Sequence, residues 1–161
     1  MITKIVQRYH IRNTAAALKA AGKAIVFTNG CFDILHSGHI RYLAAARALG
    51  DCLIVGLNSD KSVKRLKGTG RPVNNHEDRA EVLSALTAVD YVVIFDDNTA
   101  TELVRAIQPD IYVKGGDYCL ADIPEAEAVA GYGGKTVLIP PVPGRSSSNI
   151  INKIRKPQFR P

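Results

Sequence analysis

The sequence predicts an α/β protein, a parallel sheet with helices on both faces, and three observations lead there. Five short apolar runs rich in β-branched residues, at residues 24–27, 52–57, 91–95, 111–113 and 136–139, read as strands buried on both sides. The stretches between them have helical spacing or helix-favouring composition. Several strand ends are followed at once by polar, glycine-containing segments, which is where open α/β sheets bind ligands.

The elements follow in order. Residues 1–22 read as an extended lead-in and a short helix, with Asn13 or Thr14 as its cap and Gly22 as its stop; only a packing role is expected. The strand Ala24-Ile25-Val26-Phe27 then runs into Thr28-Asn29-Gly30-Cys31-Phe32-Asp33-Ile34-Leu35-His36-Ser37-Gly38-His39. A helix over residues 40–49 follows, so two histidines three residues apart stand at its start. A helix N-terminus offers unpaired N–H groups and partial positive charge to a phosphate. Gly30 and Gly38 permit close approach of the backbone, and both imidazoles can face the same phosphoryl oxygens. Two histidines are too few for a protein-held zinc, and the cysteines at 31, 52 and 119 form no Cys-x-x-Cys.

The strand at 52–57 ends in Asn58-Ser59-Asp60. Residues 61–72 then combine Lys61, Lys64, Arg65, Lys67 and Arg71 with Gly68 and Gly70, which predicts a flexible basic loop. Residues 76–88 form an amphipathic helix with Arg79 near its start, where a cation opposes the helix dipole. After the strand at 91–95, Asp96 to Thr99 offer caps for a helix over about 100–107, ended at Gln108-Pro109. Lys114-Gly115-Gly116-Asp117-Tyr118 places a cation, glycines and a carboxylate beyond the fourth strand. A helix at 123–131 and the strand at 136–139 precede Pro143-Gly144-Arg145-Ser146-Ser147-Ser148, a turn into a last helix; three hydroxyls and an arginine there suit an anion.

Composition bounds the function. At 161 residues the chain is expected to form one domain, residues 1–161, with 156–161 as a flexible tail. Three cysteines, no signal-peptide pattern and no spanning apolar run lead us to expect a soluble cytoplasmic protein without a membrane partner. The net charge of +6 suggests an anionic partner. Nucleic acid is not expected, because no recognition motif is present and only 6% of residues are aromatic. No Gly-x-Gly-x-x-Gly or Walker-type loop follows the first strand, which speaks against a dinucleotide redox cofactor.

The segment Gly30-Cys31-Phe32-Asp33…His36-Ser37-Gly38-His39 resembles the His-x-Gly-His signature of the nucleotidyltransferase superfamily that includes the cytidylyltransferases. Residues 61–68 resemble a Ser-Val-x-Arg-Leu-Lys-Gly segment, residues 113–118 a Val-Lys-Gly-x-Asp-Tyr motif, and residues 144–148 a Gly-x-Ser-Thr-Thr motif with serines in place of threonines. Together these look like the bacterial D-glycero-β-D-manno-heptose 1-phosphate adenylyltransferases, over residues 23–153. The resemblance implies a Rossmann-like five-stranded sheet and a homodimer. Its substrates would be ATP and heptose 1-phosphate, giving ADP-heptose for lipopolysaccharide or other surface glycans. Mg²⁺ would be carried by the phosphates, with no protein metal ligands. It implies His36 and His39 at the α-phosphate and Lys67, with Lys64 second, at the triphosphate. Thr28, Asn29, Gly30, Phe32, Gly38, Arg79, Arg145, Ser146, Ser147 and Ser148 would line the nucleotide. Lys114, Gly116 and Asp117 would hold the sugar phosphate, and Asp33 would orient either that substrate or the loop itself. A cytidylyltransferase acting on glycerol 3-phosphate or a similar phosphate is the alternative, and a non-catalytic nucleotide-binding regulator comes after it.

Overall fold

The structure is a computed structural model that describes residues 4–116 and 118–156. Its centre is a wholly parallel sheet of six strands: β1 (Ile5–Val6), β2 (Ile25–Gly30), β3 (Cys52–Asn58), β4 (Tyr91–Phe95), β5 (Ile111–Gly115) and β6 (Lys135–Ile139). Their order across the sheet is β1-β4-β3-β2-β5-β6. The helices are α1 (Ile11–Ala20), α2 (Ser37–Arg47), α3 (Asp60–Lys67), α4 (His76–Ser84), α5 (Thr101–Ile107), α6 (Pro124–Gly131) and α7 (Ser147–Arg155).

Strand alternation builds two apolar layers. Ile25, Phe27, Ile54, Val93, Phe95 and Tyr112 point to one face, where Ile11 and Ala15 of α1, Leu103, Val104 and Ile107 of α5 and Val129 of α6 cover them. Val26, Leu53, Val55, Val92 and Val113 point to the other, against Leu43 and Ala46 of α2 and Ala80 and Leu83 of α4. Because both faces are covered, the strands read as unbroken apolar runs.

Besides the bounds of α2 and α4, which run over 37–47 and 76–84 rather than 40–49 and 76–88, the structure differs from expectation in four places. A sixth strand, β1, pairs with β4 through Ile5↔Val92 and Val6↔Val93, and Lys4 Nζ donates to the carbonyls of Leu86 and Val89. Two paired residues are too few to leave a period in the sequence. Secondly, α1 continues a 3₁₀ turn at Arg8–His10, and Thr14, expected as its cap, lies inside it and donates back to the His10 carbonyl. Gly22 does end this helix, at φ 71°, with Gly22 N–H donating to Lys19 O and Lys23 N–H to Leu18 O.

Thirdly, the basic run after β3 is helical as far as Lys67. Ser59 caps α3 by accepting from Ser62 N–H, and Gly68 at φ 86° stops it. Its cations stand on the solvent side while Ser62 and Val63 are buried. Lastly, α5 has no side-chain cap of its own. Asp96 is held by Ser59 and Asp97 by Arg8, so Glu125 of α6 takes the Ala100 N–H instead, at 2.8 Å. Among the described residues no helix is long and apolar enough to cross a membrane.

Candidate active site

From β2 the chain steps outward through β3 to β4, and β5 later pairs on the opposite side of β2. The loops after β2 and β5 therefore part at the carboxyl edge, leaving the crevice that such a reversal of strand order creates. It is a cleft of about 740 Å³, within the usual size of a small-molecule site.

His36 and His39 lie on its β2 side. His36 is the N-cap of α2: extended in backbone, it accepts the Gly38 N–H on Nδ1 at 3.1 Å. With Nδ1 an acceptor, the ring proton sits on Nε2. The His39 ring stacks on His36 with centroids 3.9 Å apart, and Phe32 meets His39 edge-on at 5.3 Å. Phe32 is buried and reaches this place with φ 43°, a left-handed backbone uncommon outside glycine. Burial, and then His36 beside it, pull the His39 pKa down to about 4. Burial and then Arg145 lower that of His36 as well. Both rings are thus neutral near pH 7. His39 Nδ1 is buried without a hydrogen-bond partner. Gly38 is required here, because a Cβ would stand 2.9 Å from the His36 ring and 3.1 Å from Arg145 Cβ.

Arg41, Lys67, Arg71, Lys114 and Arg145 also line the cleft, together with Ser146, Ser147 and Ser148. Ser146 caps α7 by accepting from Asn149 N–H, and Ser147 Oγ donates to the Ile34 carbonyl at 2.9 Å, which ties the start of α7 to the loop after β2. Lys114 and Gly116 stand beyond β5, with Lys114 Nζ 6.0 Å from the centre of the Tyr118 ring. Asn29 and Gly30 complete the wall at the end of β2.

The structure does not bring every expected residue to the cleft. Thr28 is wholly buried, its hydroxyl 2.5 Å from that of Tyr42, so it joins β2 to α2 rather than lining the nucleotide side. Lys64 is exposed on α3 and lies outside the cleft wall, leaving Lys67 as the lysine of that run which reaches it. Arg79 is buried: Nε donates to Asn74 O, Nη1 to Cys31 O and Asn58 O, and Nη2 meets Asp60 at 2.8 Å. With its donors occupied by the protein, Arg79 braces the loop after β2 against β3, α3 and α4. A cation near the start of α4 is thus matched by three backbone carbonyls and the Asp60 carboxylate. Asp33 borders the cleft, yet its side chain is fully buried and accepts from Arg71 Nε at 2.7 Å and from the N–H groups of Val73 and Asn74. Burial works to raise its pKa, but those N–H groups and Arg71 outweigh it and hold the carboxyl below its ordinary value. The Asp33 carboxylate thus fixes the 71–74 segment. Asp117 lies outside the described residues.

Sequence reasoning missed Arg41 and the packing role of Tyr42. Arg41 carried a readable signal: positions 37, 38, 44 and 45, its helical neighbours, hold Ser, Gly, Ala and Ala, so no carboxylate on its own helix pairs with it.

Residues 27–153 match the profile of the cytidylyltransferase-like family. The chain is 54% identical over 152 residues to the bifunctional protein HldE of Wolinella succinogenes, covering 94% of this chain and 31% of that protein. It is 53% identical over 141 residues to the protein of the same name from Geobacter sulfurreducens, covering 88% and 29%. The chain thus spans only about a third of the length of these relatives. The crystal structure of a lipopolysaccharide core biosynthesis protein from Thermoplasma volcanium superposes with a TM-score of 0.61 at 31% identity, covering 75% of this chain and 98% of that one. Pantothenate synthetase from Thermus thermophilus, at 16% identity and a TM-score of 0.63 over 91% of this chain and 67% of that one, shares the fold.

Proposed function

Because the chain belongs to the cytidylyltransferase-like family, we propose that it is a nucleotidyltransferase joining ATP to D-glycero-β-D-manno-heptose 1-phosphate, with ADP-heptose and pyrophosphate as products. One observation carries the reading: two stacked, neutral histidines at a helix start face Lys67, Lys114, Arg145 and the serine-rich start of α7 across one cleft. A phosphate oxygen of the sugar attacks the α-phosphorus of ATP; the bond from that phosphorus to the bridging β-oxygen breaks, and pyrophosphate leaves.

The nucleophile needs no strong base, since a phosphomonoester is largely ionised above its second pKa of about 6. What remains is alignment and stabilisation of charge. His36 Nε2–H, its Nδ1 held by Gly38, is oriented to donate to the α-phosphate, and His39 stands against it. Lys67 and residues 146–148 would take the departing pyrophosphate, and Lys114 with Arg41 the acceptor phosphate. Among the described residues no three His, Cys, Asp or Glu side chains gather as a metal site, and the Asp33 carboxylate is committed to Arg71. Mg²⁺ is assigned to the nucleotide as part of the substrate, where it neutralises phosphate charge.

Heptose and ATP rather than glycerol 3-phosphate and CTP are supported by the resemblance of residues 61–68 and 113–118, and by the relative named for lipopolysaccharide core biosynthesis. The decisive experiment measures pyrophosphate release with Mg²⁺ for ATP or CTP against heptose 1-phosphate or glycerol 3-phosphate. Release with ATP and heptose 1-phosphate alone is expected. Release with CTP and glycerol 3-phosphate overturns the substrates but keeps the chemistry; silence in all four pairs overturns the enzyme.

A further inference from the structure

On the sheet face opposite the histidine-bearing helix, a short chain of buried polar groups reaches the cleft from behind. Tyr112 of β5 is wholly buried, its ring 6.0 Å from that of Phe27, and its hydroxyl donates to Asn29 Oδ1 at 2.7 Å. Behind Tyr112 lies Glu125 of α6, 2% exposed, with Oε1 on the Ala100 N–H and Oε2 buried without a hydrogen-bond partner. A hydroxyl placed among side chains as apolar as Ile25, Phe27 and Val129 must have a partner; Asn29 supplies it at 2.7 Å, and the Glu125 carboxylate is the rival acceptor for the same proton. Asn29 itself is half-buried at the end of β2 and lines the cleft.

An amide has two unlike ends, an acceptor oxygen and a donor nitrogen. With Oδ1 held from behind, Nδ2 turns away from Tyr112. Asn29 lines the cleft, so the donor end is the one left for it, and rotation about the last side-chain bond would instead offer an oxygen to anionic substrates. We propose that Tyr112 is a positioning residue, which locks the Asn29 amide so that its Nδ2 protons are a fixed donor for an acceptor oxygen of the bound substrates. Burial, and then the nearby Glu125 carboxylate, push the Tyr112 hydroxyl well above its ordinary pKa, so the proton it gives to Asn29 stays in place across the working pH range. Nothing in the Asn29–Tyr112 pair touches the reacting phosphorus. Its effect is transmitted through one side chain.

The inference rests on the proposed reaction for its kinetic test, and a spectroscopic test stands apart from it. Tyr112→Phe keeps the ring and removes the hydroxyl; it is expected to lower kcat/KM by about tenfold, the scale of one misplaced hydrogen bond. In an Asn29→Ala background the same change should have almost no further effect, because the group that Tyr112 orients is already gone. Equal losses from Tyr112→Phe in both backgrounds would make Tyr112 a general structural residue and overturn the proposal. Independently of any activity, the Asn29 side-chain carbonyl ¹³C signal should move upfield in Tyr112→Phe as it loses its donor. An unmoved signal overturns the lock even if the enzyme is active, whereas a moved signal in a catalytically silent wild type leaves the lock standing and removes the reaction.

Discussion

At the scale of single residues, the protonation of His39 would decide how the cleft meets the phosphates of the proposed substrates. In the free protein its pKa is about 4 rather than its ordinary 6.5, because burial disfavours the imidazolium. Between those values the unfolded chain binds a proton that the folded chain does not. Falling pH therefore weakens the fold through that window, and the cost is absent above 6.5. A bound phosphate reverses the balance, since negative charge beside the ring favours the cation. ATP should accordingly raise the His39 pKa, and its affinity should increase as pH falls from the raised value towards 4. An NMR titration of the imidazole with and without ATP reads this directly. A His39 pKa that ATP leaves unmoved would place the triphosphate elsewhere.

Among the elements, the largest single brace is Arg79. From α4 it satisfies the carbonyls of Cys31, Asn58 and Asn74 and pairs with Asp60 on α3. Arg79→Ala leaves those carbonyls without a donor, and a loss on the order of 3 kcal/mol is expected, measured by urea unfolding. Little change there would mean that water takes over from the guanidinium. The same residue marks the limit of what a sequence reveals. The strands at 52–57 and 91–95 were legible because burial on both faces leaves an uninterrupted apolar run, and the stacking of His36 on His39 because both stand within one stretch at the start of α2. Arg79, Asp33 and Thr28 were misjudged or left open because their partners lie elsewhere along the chain, at Cys31, Arg71 and Tyr42. No periodicity records such a pairing. The helix α3 was read as a loop for a different reason: its run of cations leads straight into Gly68 and Gly70, the composition of a flexible basic segment.

Across the whole molecule, part of the positive charge gathers at one place: Arg41, Lys67, Lys114 and Arg145 line one cleft, while Arg71 is held by Asp33. ATP affinity should fall several-fold between about 50 and 300 mM salt, as the shortened Debye length screens these cations from the phosphates. Calorimetric titration at those two ionic strengths tests this, and a salt-independent affinity would show that the cations do not contact phosphate. These groups come from segments far apart in the chain, and the last of them, at the start of α7, is tied to the first by the bond from Ser147 to Ile34 across 113 positions. A growing polypeptide has its histidines, its central strands and most of its core in hand long before residue 147 is made. The start of α7 therefore joins the cleft only after every strand of the sheet has been made, and a chain cut before it would hold the shape of the fold without the full lining of the cleft.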